Sequence, residues 1–207
     1  MQRTAVRLGH QETAFQVDSM PSLVFRGEKR AEGRISSLFM FSEIAGRVQN
    51  VYLPDEYREA IAMIYGRIKL RRTLAPAEGS PPSDKETVSD IRQLDYAGLI
   101  RVFIREAGSD FEKFVQIMES RHLSNGIKVV QVYLNLAEPW VGEAVDILRS
   151  KRYFFGGVIP RWFDEDALLM QKVVDHPNWE RINLYSDWAR RIMKIVRDDW
   201  ATTMNSM

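Results

Sequence analysis

The sequence predicts an α/β chain (α+β in its pairing) built on a central mixed β-sheet flanked by helices. Three observations carry that prediction. From Leu99 onward, apolar runs of strand length alternate with segments of helical period in the order β-α-β-α-β-β-α. A strand, a crossover helix and a strand impose a parallel pair with a right-handed connection. The last two strands flank the turn residues Asp164-Glu165-Asp166 and read as a hairpin that adds antiparallel edges, so the sheet is mixed.

Taken in order, the first 50 residues hold two short apolar bursts, Ser22-Leu23-Val24-Phe25 and Ser36-Ser37-Leu38-Phe39-Met40-Phe41, separated by the charged Gly27 to Gly33 stretch. They read as strand, turn, strand, and residues 48–53 as a third strand. Pro54 opens a helix, with Asp55 and Glu56 favourable at its positive end. Tyr57, Ile61, Ile64, Tyr65 and Ile68 then recur on one helical face. The run Ala-Pro-Ala-Glu-Gly-Ser-Pro-Pro-Ser-Asp-Lys over 75–85 can neither continue a helix nor fill a ladder. It divides the chain into strands plus one helix over 1–75, a loop or linker over 76–87, and the regular part over 88–207. The first part either joins the same sheet or forms a small sister lobe.

In the regular part, residues 99–104 form a strand. A helix over 110–123 buries Phe111, Phe114, Val115 and Met118, and Asn125-Gly126 stops it. Residues 127–134 are apolar on both faces, as a central strand requires. Pro139 starts a helix with Val141, Ala144, Val145 and Leu148 inward. Strands over 153–159 and 167–174 follow. Ser186-Asp187 caps a last helix whose inner face is Trp188, Ile192, Ile195 and Trp200.

Composition bounds the function. The 207 residues are 45% hydrophobic and 28% charged, enough for one sizeable core or two small ones. A net charge of +1 lacks the basic excess of a protein that lives on nucleic acid or anionic lipid, so neither is expected as a partner. The absence of cysteine removes disulfides, thiolate nucleophiles and Cys-based zinc sites. No apolar run reaches the roughly 18 residues of a membrane span, and Met1-Gln2-Arg3-Thr4 lacks a signal-peptide core, so a cytoplasmic location is expected. His10, His122 and His176 lack ligand spacing, and no metal is expected.

Several residues resemble a known superfamily. The strand from Leu99, the loop Ala107-Gly108-Ser109, the helix from Asp110, the strand to Leu134, the helix from Pro139 and the 153–174 hairpin match the acyl-CoA half of the GCN5-related N-acetyltransferase (GNAT) superfamily. More narrowly, Tyr-Phe-Phe-Gly-Gly-Val-Ile-Pro-Arg-Trp-Phe-Asp over 153–164, Leu-Leu-Met-Gln-Lys over 168–172 and Val51-Tyr52-Leu53-Pro54 resemble a bacterial GNAT-like group. In that group the region often follows a histidine-kinase-like (anti-sigma) ATPase domain. The resemblance implies a GNAT-like fold (acyl-CoA N-acyltransferase fold), transfer of an acetyl group from acetyl-CoA to an unidentified amine, and an adjoining regulatory domain or a homo-oligomer as partner. It also implies that the coenzyme is held around Arg105, Ala107, Gly108, Ser109 and Asp110, with Asn135 at the end of the strand that contacts the acyl and pantetheine groups. The alternative is a non-catalytic GNAT-like regulatory or ligand-sensing module.

Departures from the family pattern set the strength of these expectations. GNAT enzymes usually carry Gln/Arg-x-x-Gly-x-Gly/Ala before the pyrophosphate helix, because glycines let backbone N–H groups approach phosphate. Here only Arg105 and Gly108 fit, and Glu106 and Asp110 set carboxylates where phosphate charge would lie. Repulsion of about 1 kcal/mol per close pair makes any acetyl-CoA binding weak, with a dissociation constant above roughly 100 µM. Asp110, or Ser109 before it, reads as a helix cap in the anion site. Leu148 stands where many of these enzymes place the tyrosine that protonates the leaving thiolate, and leucine has no proton to give. No catalytic residue is therefore assigned.

Three further features have a sharp and a plain reading. Gly156-Gly157 marks a bulge, packed either on a ligand or on the protein itself. Arg161-Trp162-Phe163 is either a partner-binding patch or a capped hairpin. Arg190, Arg191, Lys194 and Arg197 are offset by Asp187, Asp198 and Asp199 and read as a solvated face.

Overall fold

A computed structural model of the chain describes residues 2–24, 33–44 and 46–205. Helix α1 (Gln2–Arg7) precedes strands β1 (Gln11–Pro21), β2 (Arg34–Phe41) and β3 (Gln49–Leu53), then helix α2 (Arg58–Ile68) and strand β4 (Arg72–Pro76). The second part runs β5 (Val88–Leu94), β6 (Leu99–Glu106), α3 (Phe111–Leu123), β7 (Val129–Asn135), α4 (Val141–Ser150), β8 (Phe154–Ile159), β9 (Ala167–Val173) and α5 (Asp187–Asn205). Seven strands form one mixed sheet in the order β2-β1-β8-β9-β7-β6-β5, and β3 pairs with β4 in a separate parallel ladder.

The predicted parallel pair is present: Leu99 to Ile104 run beside Val129 to Leu134 in unbroken register, joined by α3. Every residue of β7 is buried, as its two apolar faces require. The hairpin, however, is not at an edge. Strand β9 inserts antiparallel beside β7, β8 follows, and β1 closes onto β8, so β2 and β5 are the edges.

Strand β1 escapes the sequence reading because Glu12, Thr13, Gln16 and Ser19 interrupt its apolar alternation. Three of these, Glu12, Thr13 and Ser19, are nevertheless buried. Its pairing with β8 is brief, Ala14 opposite Gly157. A side chain extends the seam: the buried Gln171 amide accepts from Val17 N–H at 2.9 Å and donates to the Phe15 carbonyl at 2.9 Å, standing in for a strand. Gly157 has φ +118°, and a Cβ there would lie 2.5 Å from Ala14 Cα, so the glycine pair is packed against the protein itself.

Four further expectations change. Ser22–Val24 form a 3-10 turn instead of a strand, and Phe25 with most of the Gly27 to Gly33 turn lies outside the described residues. Pro54 caps a 3-10 turn over Asp55–Tyr57 that leads into α2, so the α-helix begins later than its proline. Strand β4 takes Ala75 and Pro76 from the linker-like run, and β5, with only Val88, Ile91 and Leu94 apolar, is an unpredicted edge strand. The inner face of α5 is Ala189, Ile192, Val196 and Thr203, with Trp188, Ile195 and Trp200 flanking it, a face turned by about one residue. Ser186 does cap that helix, its hydroxyl accepting from Ala189 N–H at 3.0 Å.

The main core joins α2, α3, α4 and α5 to one side of the sheet. On the other side Phe103, Tyr133, Ile159, Leu169 and Ala14 form a smaller cluster to which these four helices contribute nothing among the described residues. One face of the sheet is therefore helical and the other is left to side chains and the 160–166 loop.

Candidate functional site

In α/β sheets, ligands sit beyond the carboxyl ends of parallel strands, where helix N-termini offer unpaired N–H groups. Strands β6 and β7 end side by side, and the turns after them start α3 and α4. The chain's own segment 77–87 lies across both helix starts.

At α3 the contact is backbone on backbone. A Cβ on Gly108 would lie 2.2 Å from the Lys85 carbonyl oxygen and 2.6 Å from the Glu86 carbonyl carbon. Only glycine allows that approach. The N–H groups that phosphate would use are taken: Ser109 N–H donates to the Lys85 carbonyl at 3.2 Å, Gly108 N–H to Thr87 Oγ1 at 3.2 Å, and Phe111 N–H to the Gly108 carbonyl at 3.0 Å.

Asp110 faces the same segment. Its Oδ1 accepts from Thr87 N–H at 2.7 Å and from Thr87 Oγ1 at 2.8 Å, bonds that hold its carboxyl below the usual range. Neither Ser109 nor Asp110 caps α3 through its side chain, which corrects the cap reading. Asp110 instead ties down the crossing strand.

At α4 the same segment repeats the device. A Cβ on Gly142 would lie 2.6 Å from the Ala77 carbonyl oxygen, and Gly79 N–H donates to the Pro139 carbonyl at 3.0 Å. Ala77 N–H donates to the Leu53 carbonyl at 3.0 Å. The proline-rich run is thus an ordered strap anchored at β3, α4 and α3.

The remaining predicted residues are scattered around this strap. Arg105 is exposed and Ala107 fully buried. Glu106 meets Lys85 at 2.8 Å on the surface. Asn135 Oδ1 accepts from Ala137 N–H at 3.0 Å, an Asx turn that leads β7 toward α4. Leu148 is fully buried in α4. Thr87, Gly79 and Gly142 escaped the sequence reading; a glycine inside a strongly amphipathic helix was the available signal for Gly142.

Beside the strap is a buried ion pair. Asp166, immediately before β9, accepts from Arg72 Nε at 2.7 Å, Arg72 Nη2 at 3.0 Å, Tyr65 OH at 2.7 Å and Arg161 N–H at 3.0 Å. Its side chain is wholly buried and that of Arg72 is 1% exposed. Burial beside this carboxylate pushes the Tyr65 hydroxyl well above its ordinary pKa. The pair joins α2 and β4 to the hairpin and leaves no acceptor for a substrate proton.

Trp162 packs among the aromatic side chains of the non-helical face. Its ring centroid is 5.2 Å from that of Tyr133 with an interplanar angle of 11°, and 6.0 Å from those of Phe103 and Phe39. It is still 36% exposed. The histidines stay apart: His122 Nδ1 lies 2.8 Å from Gln93 Oε1, and His176 meets Trp200 edge-on. Among the described residues no cluster of His, Asp or Glu is arranged to hold a metal, and no helix is long and apolar enough to cross a membrane.

No protein-family model, no curated protein and no solved structure matches this chain. The geometry alone bears on function.

Proposed function

We propose that this chain is a GNAT-like module with a closed coenzyme cleft, acting as a regulatory or ligand-sensing unit and not as an acetyltransferase. The observation that carries this reading is the filled anion site at α3. The Lys85 carbonyl and the Thr87 hydroxyl occupy the N–H groups of Ser109 and Gly108 that would hold a pyrophosphate. Two carboxylates, Glu106 and Asp110, and the aliphatic Leu148 add to it.

A second reading, an acetyl-CoA-dependent transferase acting on an amine, is favoured by the parallel β6–β7 pair with Arg105 to Asp110 at its carboxyl end. It requires the strap to leave α3.

Calorimetric titration of the purified chain with acetyl-CoA separates the two. The closed reading predicts no saturable heat up to about 100 µM ligand, equivalent to binding weaker than about 5.5 kcal/mol. Sub-micromolar binding would overturn it. Thr87→Val is the internal control: it removes the hydroxyl's bonds to Asp110 and Gly108 N–H while keeping the backbone bond to Asp110, and if the strap alone excludes the coenzyme it should raise affinity.

A further inference from the structure

We infer that the free edge strand β2 pairs with β2 of a second copy of this chain, antiparallel across a two-fold axis, so that the sheet continues from one molecule into the next. Strand β2 is terminal in the sheet and is bonded to β1 alone. Antiparallel pairing uses the N–H and carbonyl of alternate residues, so the other residues of 35–41 turn theirs outward. None of these groups meets a backbone partner outside β1 among the described residues. The open edge is roughly 25 Å long.

Strand edges are ordinarily guarded against such pairing by charge, proline or a bulge. The opposite edge, β5, carries Asp90 and Arg92. Strand β2 has no guard of this kind. Ile35-Ser36-Ser37-Leu38-Phe39-Met40-Phe41 contains no charge, no proline and no glycine. The one charged residue of the strand, Arg34, is turned back over the molecule, its Nε donating to the Asp18 carbonyl and its Nη2 to the Ala97 carbonyl, both at 2.6 Å. The register shifts of the β1–β2 ladder put the extra residues on β1, which leaves β2 itself continuous. Ile35 and Met40 are half-buried and belong to neither core cluster.

The two ends of the strand decide the occupant. Leu23, held beside the start of β2 by the bond from Ser22 N–H to the Gly33 carbonyl, is 89% exposed, and Ile44, just beyond the strand's finish, is 100% exposed. An antiparallel two-fold sets the start of one β2 against the finish of the other, so each end of the seam receives one Leu23 and one Ile44. The charges nearest those ends, Arg34 and Glu43, are opposite in sign and do not repel across it. A strand from another protein would satisfy the backbone and would have to bring its own apolar residue to each end, whereas a second copy carries both. With the axis normal to the sheet, the helices of both copies lie on one side and the two seven-stranded sheets become one. The inference is independent of the coenzyme reading.

Sedimentation velocity of the intact chain from about 1 to about 500 µM tests it. A monomer–dimer equilibrium with a dissociation constant of about 10–100 µM is expected, as for an interface at the small end of the specific range. Met40→Lys sets like charges together on the paired edge and should weaken the dimer at least tenfold. Leu23→Glu and Ile44→Glu, both at exposed sites, should weaken it as well and carry the test if Met40→Lys does not fold. Ile91→Lys, on the β5 edge, should leave it unchanged. Hydrogen exchange adds a local readout: the outward amides of 35–41 should exchange more slowly as concentration rises through the dimer range. A monomer at every concentration, or a dimer indifferent to the Met40, Leu23 and Ile44 variants, would overturn the proposal. So would a dimer lost in Ile91→Lys, which would move the contact to β5. Outward amides protected even at the lowest concentration would assign the edge to the chain's own residues and overturn it too.

Discussion

Replacing Gly108 by alanine asks directly whether the strap is packed where the structure places it. The new Cβ would stand 2.2 Å from the Lys85 carbonyl oxygen and 2.8 Å from Glu86 Cα, both backbone atoms. Ordinary contact needs the strap to retreat by about 1 Å, because neither atom belongs to a side chain that can rotate away. That retreat strains the 3.2 Å bond from Ser109 N–H to Lys85 and the bond from Gly108 N–H to Thr87. Overpacking of this kind costs about 1–3 kcal/mol, and one weakened hydrogen bond about 1 kcal/mol more. For a chain of this size, 2–4 kcal/mol is a fall in Tm of order 10 °C. Thermal and urea unfolding followed by circular dichroism measure it. A double-mutant cycle with Thr87→Ala should be non-additive, since both changes loosen one contact. Stability unchanged within about 0.5 kcal/mol would refute the reasoning and mean that nothing rests on Gly108.

Gly142→Ala reverses the usual sign of a helix substitution: propensity favours alanine by about 1 kcal/mol, yet the Ala77 oxygen 2.6 Å away makes the variant less stable, and a gain in Tm would contradict the contact. Asp166→Ala leaves the Arg72 guanidinium buried without its partner and should cost about 3–5 kcal/mol by denaturant unfolding, whereas a cost below 1 kcal/mol would show that water reaches the pair. Ser186→Ala removes the α5 cap and should cost about 1 kcal/mol in the same assay. Among the tyrosines, burial raises Tyr57, Tyr65 and Tyr153, and raises Tyr133 to about 12. Because these folded values lie above the unfolded value near 10, their stabilisation is complete below pH 10 and is lost as pH climbs toward the folded values. An absorbance titration should therefore show the buried four ionising only above the ordinary tyrosine range, together with unfolding. All seven ionising together in a folded chain would contradict the burial.

The regular half of the fold was legible because its strands and helices carry strong periodicity: the β6–β7 pair, α3, α4 and the Ser186 cap all follow from local pattern. The edges were not. Strand β1 buries polar groups that find partners far along the chain, such as Glu12 with Ser186 Oγ at 2.6 Å, and β5 is half-exposed, so neither shows a clean alternation. The place of the hairpin inside the sheet depends on β1 pairing with β8 across more than 140 residues, which no local pattern encodes. At the candidate site the sequence marked Gly108 and Asp110 as exceptional but attributed Asp110 to a helix cap. Its true partner, Thr87, lies just past a proline-rich run whose composition signals only the absence of helix and strand. Arg161-Trp162-Phe163 reads in the sequence as either a partner-binding patch or a capped hairpin, and the structure stacks Trp162 on Tyr133 while leaving it 36% exposed.

A crystal structure determined in the presence of millimolar acetyl-CoA tests the closed cleft most directly. The account predicts the Lys85 carbonyl still on Ser109 N–H, Thr87 still on Asp110, and no coenzyme at the start of α3. A pyrophosphate bound to the N–H groups of residues 108–111, with segment 85–87 displaced, would contradict it.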